Sequence, residues 1–548
     1  MASIELVLGM LLAVLASGYL VRALPVALPL PIVQIALGGV IAGVFHHGVA
    51  LQPEVFFLLF LPPLLFLDGW RIPKDGLMRD RRAILQLAFG LVIFTVVGAG
   101  YLIHWLIPAV PLAVAFALAA IISPTDPVAV SLIAGSTPIP RRLMHVLEGE
   151  SLLNDASGLV CFQFAVVAAL TGSFSLNQAA VTFAWLVAIG LLSGVAFTLG
   201  VALVQQWLTR RFGAEGGSPI LVNLLTPFGA YLLAEQLGAS GILAAVAAGV
   251  TMSYVELSGR SMAETRIERN AVWDTIQFTL NGIMFVLLGE QLPSILRDAV
   301  AAVGESGHFN SWWLLLYAVV IACGLAALRC VWVWISLRVY LWHHRADPKL
   351  PRSGSWRVVA VTSLAGVRGA VTLAGVLTLP LLMPDGSHFP ARGLVIFLAA
   401  AVILLSLAAG SVGLPLLLRG MAQQLEPAAE LEADRAQTAA AEAAIQSVQR
   451  ESDTIRRVGS HLDADVCAAA ENRVIAAYQD RLNAHGKDVD ETGAARLRQA
   501  DLVERKLRLA GFQAEREAIL RLARARQISD ETSRRMVRRI DLLETLYR

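Results

Sequence analysis

The sequence predicts an all-α, polytopic membrane protein of about 13 spanning helices, followed by a soluble helical domain. Three observations predict it: an apolar composition, an uneven distribution of charge, and a regular series of long apolar segments. Of the 548 residues, 56% are hydrophobic and 16% charged, and the mean hydropathy is +0.64. A soluble domain carries about 25% charge, so this chain has too few polar residues to cover its own surface. Residues 421–548 hold 21 of the 44 Lys+Arg and 22 of the 42 Asp+Glu, which leaves long charge-free stretches before them. The split divides the chain into a membrane domain, 1–420, and a cytoplasmic helical domain, 421–548. The net charge of +2 gives no case for nucleic acid as a partner.

A spanning helix needs roughly 20 mostly apolar residues. Thirteen segments qualify: 3–21, 28–45, 53–70, 83–106, 110–134, 145–171, 179–208, 219–237, 239–257, 271–292, 311–342, 357–380 and 393–418. The first has Glu5 before it and Arg22 after it, the reverse of a secretory signal peptide, so it reads as a retained helix with its N-terminus outside. Loop charge supports that orientation. The inner loops then carry Arg22, Arg71, Lys74, Arg79, Arg81, Arg82, Arg141, Arg142, Arg210, Arg211, Arg260, Arg266, Arg269, Arg345, Lys349, Arg352 and Arg357, and the outer ones only Arg297 and Arg392. Seventeen against two is a strong positive-inside signal. It requires the eighth and ninth segments, divided only by Leu237-Gly238-Ala239, to be separate, and it puts the C-terminus in the cytoplasm. In the tail, 430–450 and 494–526 read as helices, and Ser529-Asp530-Glu531 as the start of another. Its basic helices could touch anionic lipid, although a solvated face is the expected role.

Charge at mid-bilayer is the informative anomaly. Asp126, Asp155, Arg329 and Arg368 fall near the middle of their segments, with Glu150 close to Asp155. Facing lipid, they would cost on the order of 10 kcal/mol together, so they must face one another or water. The fifth segment contains Ser123-Pro124-Thr125-Asp126-Pro127. Its prolines remove two backbone donors and interrupt the helix. Irregular backbone at that depth is tolerated where it is buried in protein or lines a cavity. Two half-helices meeting there present a positive and a negative end. Asp126 can neutralise the positive one, and freed carbonyls near Thr125 can ligate a cation. The twelfth segment has a second weak point, Gly366-Val367-Arg368-Gly369, where Arg368 suits a negative end. The two segments run in opposite directions, and interrupted helices at corresponding positions of inverted repeats point to the binding site of a secondary transporter.

In the sixth segment, helical spacing places Ser151, Asn154 and Asp155 on one face, with Glu150 beside Asn154. Oxygen ligands suit hard cations. No His or Cys joins them, so a transition-metal centre is not expected. Glu150 needs a buried partner, and Arg329 is the candidate. The four cysteines have no framework spacing, and Cys161, Cys323 and Cys330 are expected as small buried side chains. Gly39-Val40-Ile41-Ala42-Gly43 could bring two helices close. Arg338 is expected to snorkel to the inner interface. Asp274 and Glu290 are expected near segment ends, without a role.

Three motifs carry a resemblance: Ser-Pro-Thr-Asp-Pro-Val-Ala-Val (123–130), Glu-Gly-Glu-Ser-Leu-Leu-Asn-Asp-Ala-Ser-Gly (148–158) and Gly-Val-Arg-Gly-Ala-Val-Thr-Leu-Ala (366–374). In this order they resemble the signatures of the electroneutral sodium/proton exchanger branch of the monovalent cation/proton antiporters. The resemblance covers the whole membrane part. It implies that Asp155 binds cation and proton, with Asn154 as its partner and Thr125 and Asp126 as unwound-helix residues; Asp155, Ser151 and Thr125 would hold Na⁺ or K⁺. It implies that Glu150 and Arg329 form a salt bridge and that Arg368 is the basic residue of the second crossover. It also implies a homodimer, with a core bundle (83–171 and 311–418) moving against a dimerisation scaffold (1–70 and 179–292). One departure stands out: family members place an acid four residues after the Pro62-Pro63 pair, where this chain has Leu67, with Asp68 one position later.

The implied activity is exchange of Na⁺ and/or K⁺ for H⁺ across the inner membrane, without cofactors or enzymatic chemistry. Electroneutral exchange is expected because Asn154 stands where electrogenic relatives place a second acid. A K⁺/H⁺ antiporter with little Na⁺ activity is the alternative. A cation channel would need a filter loop, and none is visible. An enzyme using His46-His47 or His343-His344 would have those pairs in loops on opposite sides of the membrane, far from Asp155. No phosphate-binding Gly-rich motif ending in Lys-Ser/Thr occurs, so an ion gradient is the expected driving force.

Overall fold

Helices fill almost all of the described chain because each apolar segment must satisfy its own backbone hydrogen bonds in lipid. The computed structural model describes residues 2–23, 28–45, 53–72, 84–134, 139, 141–172, 176–213, 218–256, 263–305, 312–343, 355–418, 427–458, 464–484, 507–522 and isolated positions between 525 and 544. The order is α1 (Ala2–Ala23), α2 (Leu30–Phe45), α3 (Pro53–Arg71), α4 (Gln86–Leu106), α5 (Leu112–Ile122), α6 (Pro127–Ala134), α7 (Arg141–Thr171) and α8 (Leu176–Phe212). Then come α9 (Ser218–Gln236), α10 (Gly241–Glu256), α11 (Ala263–Glu305), α12 (Trp312–His343), α13 (Ser355–Leu364), α14 (Ala370–Leu377) and α15 (Arg392–Leu418). α16 (Pro427–Val458) and α17 (Ala464–Ala484) follow in the tail. Among the described residues there is no strand, only an isolated bridge between Leu382 and His388.

Among the described residues, seven helices are long and apolar enough to cross a membrane singly, and α5 with α6 makes an eighth as a pair bent by 53°. Each apolar segment of the sequence holds one helix or one interrupted pair. Leu237-Gly238-Ala239 does separate two helices, with Gly238 at φ +63°, a left-handed conformation open to glycine at no steric cost. The prolines at 62 and 63 lie within α3. The first turns of α4 are a π-helix, Gln86–Leu91, a widened form frequent at functional sites. Here the Ser157 hydroxyl of α7 donates to the Ala88 carbonyl over 2.8 Å.

Two compact units divide at Gln423/Gln424. In the first, α2 lies on α11, α3 and α8 on α10, and α4, α5 and α7 pack together beside α12 and α15. The close α2–α11 approach uses glycine, as in many membrane interfaces. A Cβ added at Gly38 would stand 2.0 Å from the Val286 carbonyl oxygen, and one at Gly289 would stand 1.9 Å from that of Ile35. Of the two glycines the sequence pointed to, Gly39 lies at the same interface, where a Cβ would stand 3.8 Å from the Gly289 carbonyl oxygen, whereas Gly43 faces open space. In the second unit α16 packs on α17, with Ser452 donating to Glu471 at 2.8 Å. Arg516 there pairs with Asp541 at 2.7 Å and with Glu544.

Several expectations need correction. Cys323 and Cys330 are exposed on the surface of α12, and only Cys161 is partly covered. An apolar segment has a lipid-facing side as well as a buried one, and hydropathy does not tell them apart. Glu290 is not at a helix end but buried well inside α11, at 3% exposure. Arg338 lies over the Trp334 ring, 5.4 Å from its centre. Lys74, Arg79, Arg81, Arg82, Arg260, Arg345, Lys349, Arg352, the pair His46-His47, His344, Ser529-Asp530-Glu531 and the stretch 494–506 lie outside the described residues.

Candidate ion-binding site

Both interruptions meet. The Asp126 amide in the gap between α5 and α6 donates to the Val367 carbonyl, in the gap between α13 and α14, over 2.8 Å. Four half-helix ends therefore converge, two positive and two negative. Asp126 serves the positive pair. Its Oδ1 accepts the amides of Val128 (2.8 Å) and Ala129 (3.2 Å), capping α6. Its carboxylate also lies against Gly369, which precedes α14, so closely that a Cβ there would stand 2.2 Å from Oδ2. Arg368 serves the negative pair. Its Nε donates to the carbonyl of Ile122, the last residue of α5, over 3.0 Å, and its guanidinium also bonds Gly366 just beyond α13. Its backbone amide is held by Ser406 of α15 at 3.0 Å.

Beside the crossing, α7 divides its polar residues between two sides about 100° apart, and Asn154, expected on one face with Ser151 and Asp155, instead lies with Glu150. Glu150 and Asn154 face the crossing's interior. Arg329 of α12 grips Glu150 with two bonds, 2.5 and 2.9 Å, and donates its Nε to the Thr362 carbonyl at 3.0 Å. Both partners are fully buried, at 2% and 1% exposure. Thr125 donates to Glu150 Oε1 at 3.1 Å and accepts from Asn154 Nδ2 at 3.1 Å. The network thus ties the broken strand of the crossing to α7 and α12. Two mutual bonds and the added ones to Thr125 and Thr362 offset the cost of burying such a pair.

Ser151 and Asp155, one turn apart, lie on the adjacent side of α7. They line a cavity of about 40 Å³ together with Asp68, Thr125, Asp126, Gln277, Asn281 and Thr372, among others. That volume suits a single water or a single stripped ion. Among the described residues Asp155 accepts no hydrogen bond, so its carboxyl oxygens are open to the cavity. A larger vestibule of about 390 Å³ adjoins, sharing Asp68, Val128, Gln277 and Asn281 with the small cavity. Glu148, Asp274 and Arg71 also line it, the last two paired at 2.5 Å.

Each expected site residue is therefore found at the crossing: Asp155, Ser151, Thr125, Asp126 and Asp68 around the cavity, and Asn154, Glu150, Arg329 and Arg368 in the bonded frame behind it. The one-residue offset on α3 resolves into a helical face. Leu61, Leu64, Leu65 and Asp68 line the cavity, whereas Leu67 is buried with Phe66 and Trp273 on the opposite side. Sequence reading missed Gln277, Asn281 and Thr372. Asp274, Gln277 and Asn281 at spacings of three and four on an apolar helix were the available signal. Among the described residues no cluster of three His, Cys, Asp or Glu could hold a metal ion.

Comparison with known proteins agrees with this geometry. The sodium/hydrogen exchanger transmembrane family profile matches residues 10–420. The chain is 40% identical over 547 residues to an Escherichia coli protein described as the uncharacterized Na(+)/H(+) exchanger YjcE, covering 98% of each. It is 38% identical to a Bacillus subtilis sodium, potassium, lithium and rubidium/H(+) antiporter, over 99% of this chain and 78% of that protein. In fold it resembles the sodium proton antiporter MjNhaP1 of Methanocaldococcus jannaschii, with a TM-score of 0.57 at 17% identity, covering 77% of this chain and 100% of that one. With the two broken helices crossed at a carboxylate-lined cavity, and the family profile spanning the whole membrane part, the chain belongs to the sodium/hydrogen exchanger family.

Proposed function

We propose that this protein exchanges Na⁺ and/or K⁺ for protons across the inner membrane, one for one, with Asp155 as the shared binding group. The observation that carries the reading is the placement of Asp155 in a cavity sized for one ion, beside hydroxyls of Ser151 and Thr125. A carboxylate stripped of water holds either a proton or a cation, since each removes the charge the other needs. When the occupied carrier crosses and the empty charged one does not, exchange follows. The relatives named as sodium, potassium, lithium and rubidium antiporters support a broad cation choice. They leave room for a protein that prefers K⁺.

In this reading thirteen spans, counted as one helix or interrupted pair per apolar segment, place the N-terminus outside and the C-terminus in the cytoplasm. The vestibule ending at Arg71, Glu148 and Asp274 then opens to the cytoplasm. A core bundle, 83–171 and 311–418, moves against a scaffold, 1–70 and 179–292, in a homodimer embedded in lipid, and the domain 421–548 regulates. Asn154, bound to Thr125, carries no charge, and this supports electroneutrality provided that Asp68 keeps one protonation state through the cycle. The test is cation-driven dequenching of a pH dye in everted vesicles, with Na⁺ and K⁺ added separately. Asp155→Asn should abolish the signal. Normal exchange by that variant, or a net current proportional to flux in proteoliposomes, would overturn the proposal.

A further inference from the structure

α11 presents a graded face to the ion path. At spacings of three and four it reads Asp274, Gln277, Asn281, Met284 and Leu288, from charged through carboxamide to apolar. The first three line the vestibule; Gln277, Asn281 and Met284 line the small cavity. Asn281 is thus the last polar residue of α11 before an apolar closure formed by Met284 with Leu61, Leu64 and Leu65 of α3. Its neighbour Gln277 is already engaged, since its Oε1 accepts from Arg71 at 2.9 Å, and Arg71 is anchored by Asp274 at 2.5 Å. One lone pair of the Gln277 oxygen is thus taken by a cationic group, whose charge disfavours a second cation at the same oxygen. Asn281 has no hydrogen-bond partner among the described residues, so its carbonyl oxygen is available to the cavity.

We propose that Asn281 is a cation ligand supplied by α11, and that its carboxamide oxygen helps set which alkali ion is transported. The inference rests on the antiport reading above and adds a selectivity residue to it. An ion that enters a cavity of about 40 Å³ must exchange its hydration shell for protein oxygens. α7 and the crossing offer Asp155, Ser151, Thr125, Asp126 and Thr372, but the Thr125 hydroxyl already donates to Glu150 and accepts from Asn154, and Asp126 Oδ1 already accepts two amides. Oxygens from the opposite wall add to the shell, and Asp68 and Asn281 are the polar groups there with no hydrogen-bond partner among the described residues. A neutral carbonyl has a weaker field than a carboxylate and favours the larger, less hydrated ion, so Asn281 tilts the site toward K⁺ relative to one walled by carboxylates alone. Because α11 and α3 lie across the cavity from α7, this oxygen is also lost to the ion whenever the two walls separate.

The experiment compares purified wild-type protein with Asn281→Ala and Asn281→Ser in proteoliposomes, measuring cation-dependent proton flux with Na⁺, K⁺ and Li⁺ separately. The Ala variant should raise KM for K⁺ about tenfold while kcat falls less than twofold, and should lower the K⁺/Na⁺ ratio of kcat/KM at least threefold; a rise in that ratio would overturn the assignment. The Ser variant, which keeps an oxygen, should recover part of the loss. Cation-dependent thermal stabilisation of the purified variants gives a second readout: K⁺ should protect Asn281→Ala less than wild type. Unchanged KM values and ratios, or a fall in kcat alone, would overturn the assignment while leaving the antiport reading intact. Absence of exchange by the wild type would instead overturn that underlying reading. Equal loss for all three ions with no recovery by Ser would make Asn281 structural and also reject the proposal.

Discussion

At the scale of single residues, burial decides what a charge can do. Arg329 and Glu150 are both buried and bonded to each other twice, and Arg329 also reaches the Thr362 carbonyl. Removing one partner strands the other: Arg329→Met should destabilise the protein by about 3–5 kcal/mol, whereas adding Glu150→Leu should recover part of it. Thermal midpoints in detergent for the two singles and the double complete that cycle, and strictly additive losses would contradict the pairing. Asp68 poses the opposite case, a carboxylate that lines both cavities without a bonded partner among the described residues. Asp68→Asn should raise the cation KM several-fold and leave exchange electroneutral. If the variant instead became current-generating, Asp68 would be a second proton carrier and the one-for-one cycle would need revision.

At the scale of elements, the crossing works because each broken helix supplies what the other lacks. Prolines 124 and 127 open α5/α6, and the chain around Gly366 and Gly369 opens α13/α14. Asp126 then meets two positive ends, and Arg368 meets two negative ones. The residue types were legible in sequence, since prolines and midspan charges are expensive there. The pairing was not, because Asp126 and Arg368 lie far apart in the chain and periodicity says nothing of such contacts. The same limit hid the partner of the 39–43 stretch: the closest α2–α11 approach is at Gly38 and Gly289, with Gly39 in ordinary contact beside it and Gly43 in open space. Gly289→Ala should therefore push the two backbones apart and cost about 1–3 kcal/mol of stability through overpacking, read as a lower thermal midpoint. Gly43→Ala, facing open space, serves as the comparison and should leave it unaltered.

At the scale of the whole molecule, the predictions concern sidedness and competition. On the proposal that proton and cation share Asp155, lowering the pH should raise the apparent KM for Na⁺ or K⁺ while leaving the maximal rate at saturating cation much less affected. The sign follows from occupancy: protons fill the same carboxylate, and a high cation concentration displaces them. Initial rates over a matrix of pH and cation concentration test this, and a KM independent of pH would argue against a common site. The charge bias of the loops predicts that a reporter fused after Arg548 is active only when the cytoplasm is its location. A reporter active outside would invert the vestibule's assignment as well.

The sequence by itself determined that the membrane part is helical, where the apolar segments lie, which helices break, and which charges belong at the breaks. It could do so because local rules govern those features: a lipid-facing backbone must bond to itself, proline cannot donate, and an unpaired charge is too costly. Only the tertiary structure decided that the two breaks touch, that Asp68 rather than Leu67 faces the cavity, that Cys323 and Cys330 point outward, and that α11 closes the site with Gln277 and Asn281. Those choices depend on the rotation of one helix against another, which the packing of distant residues sets and hydropathy along the chain does not encode.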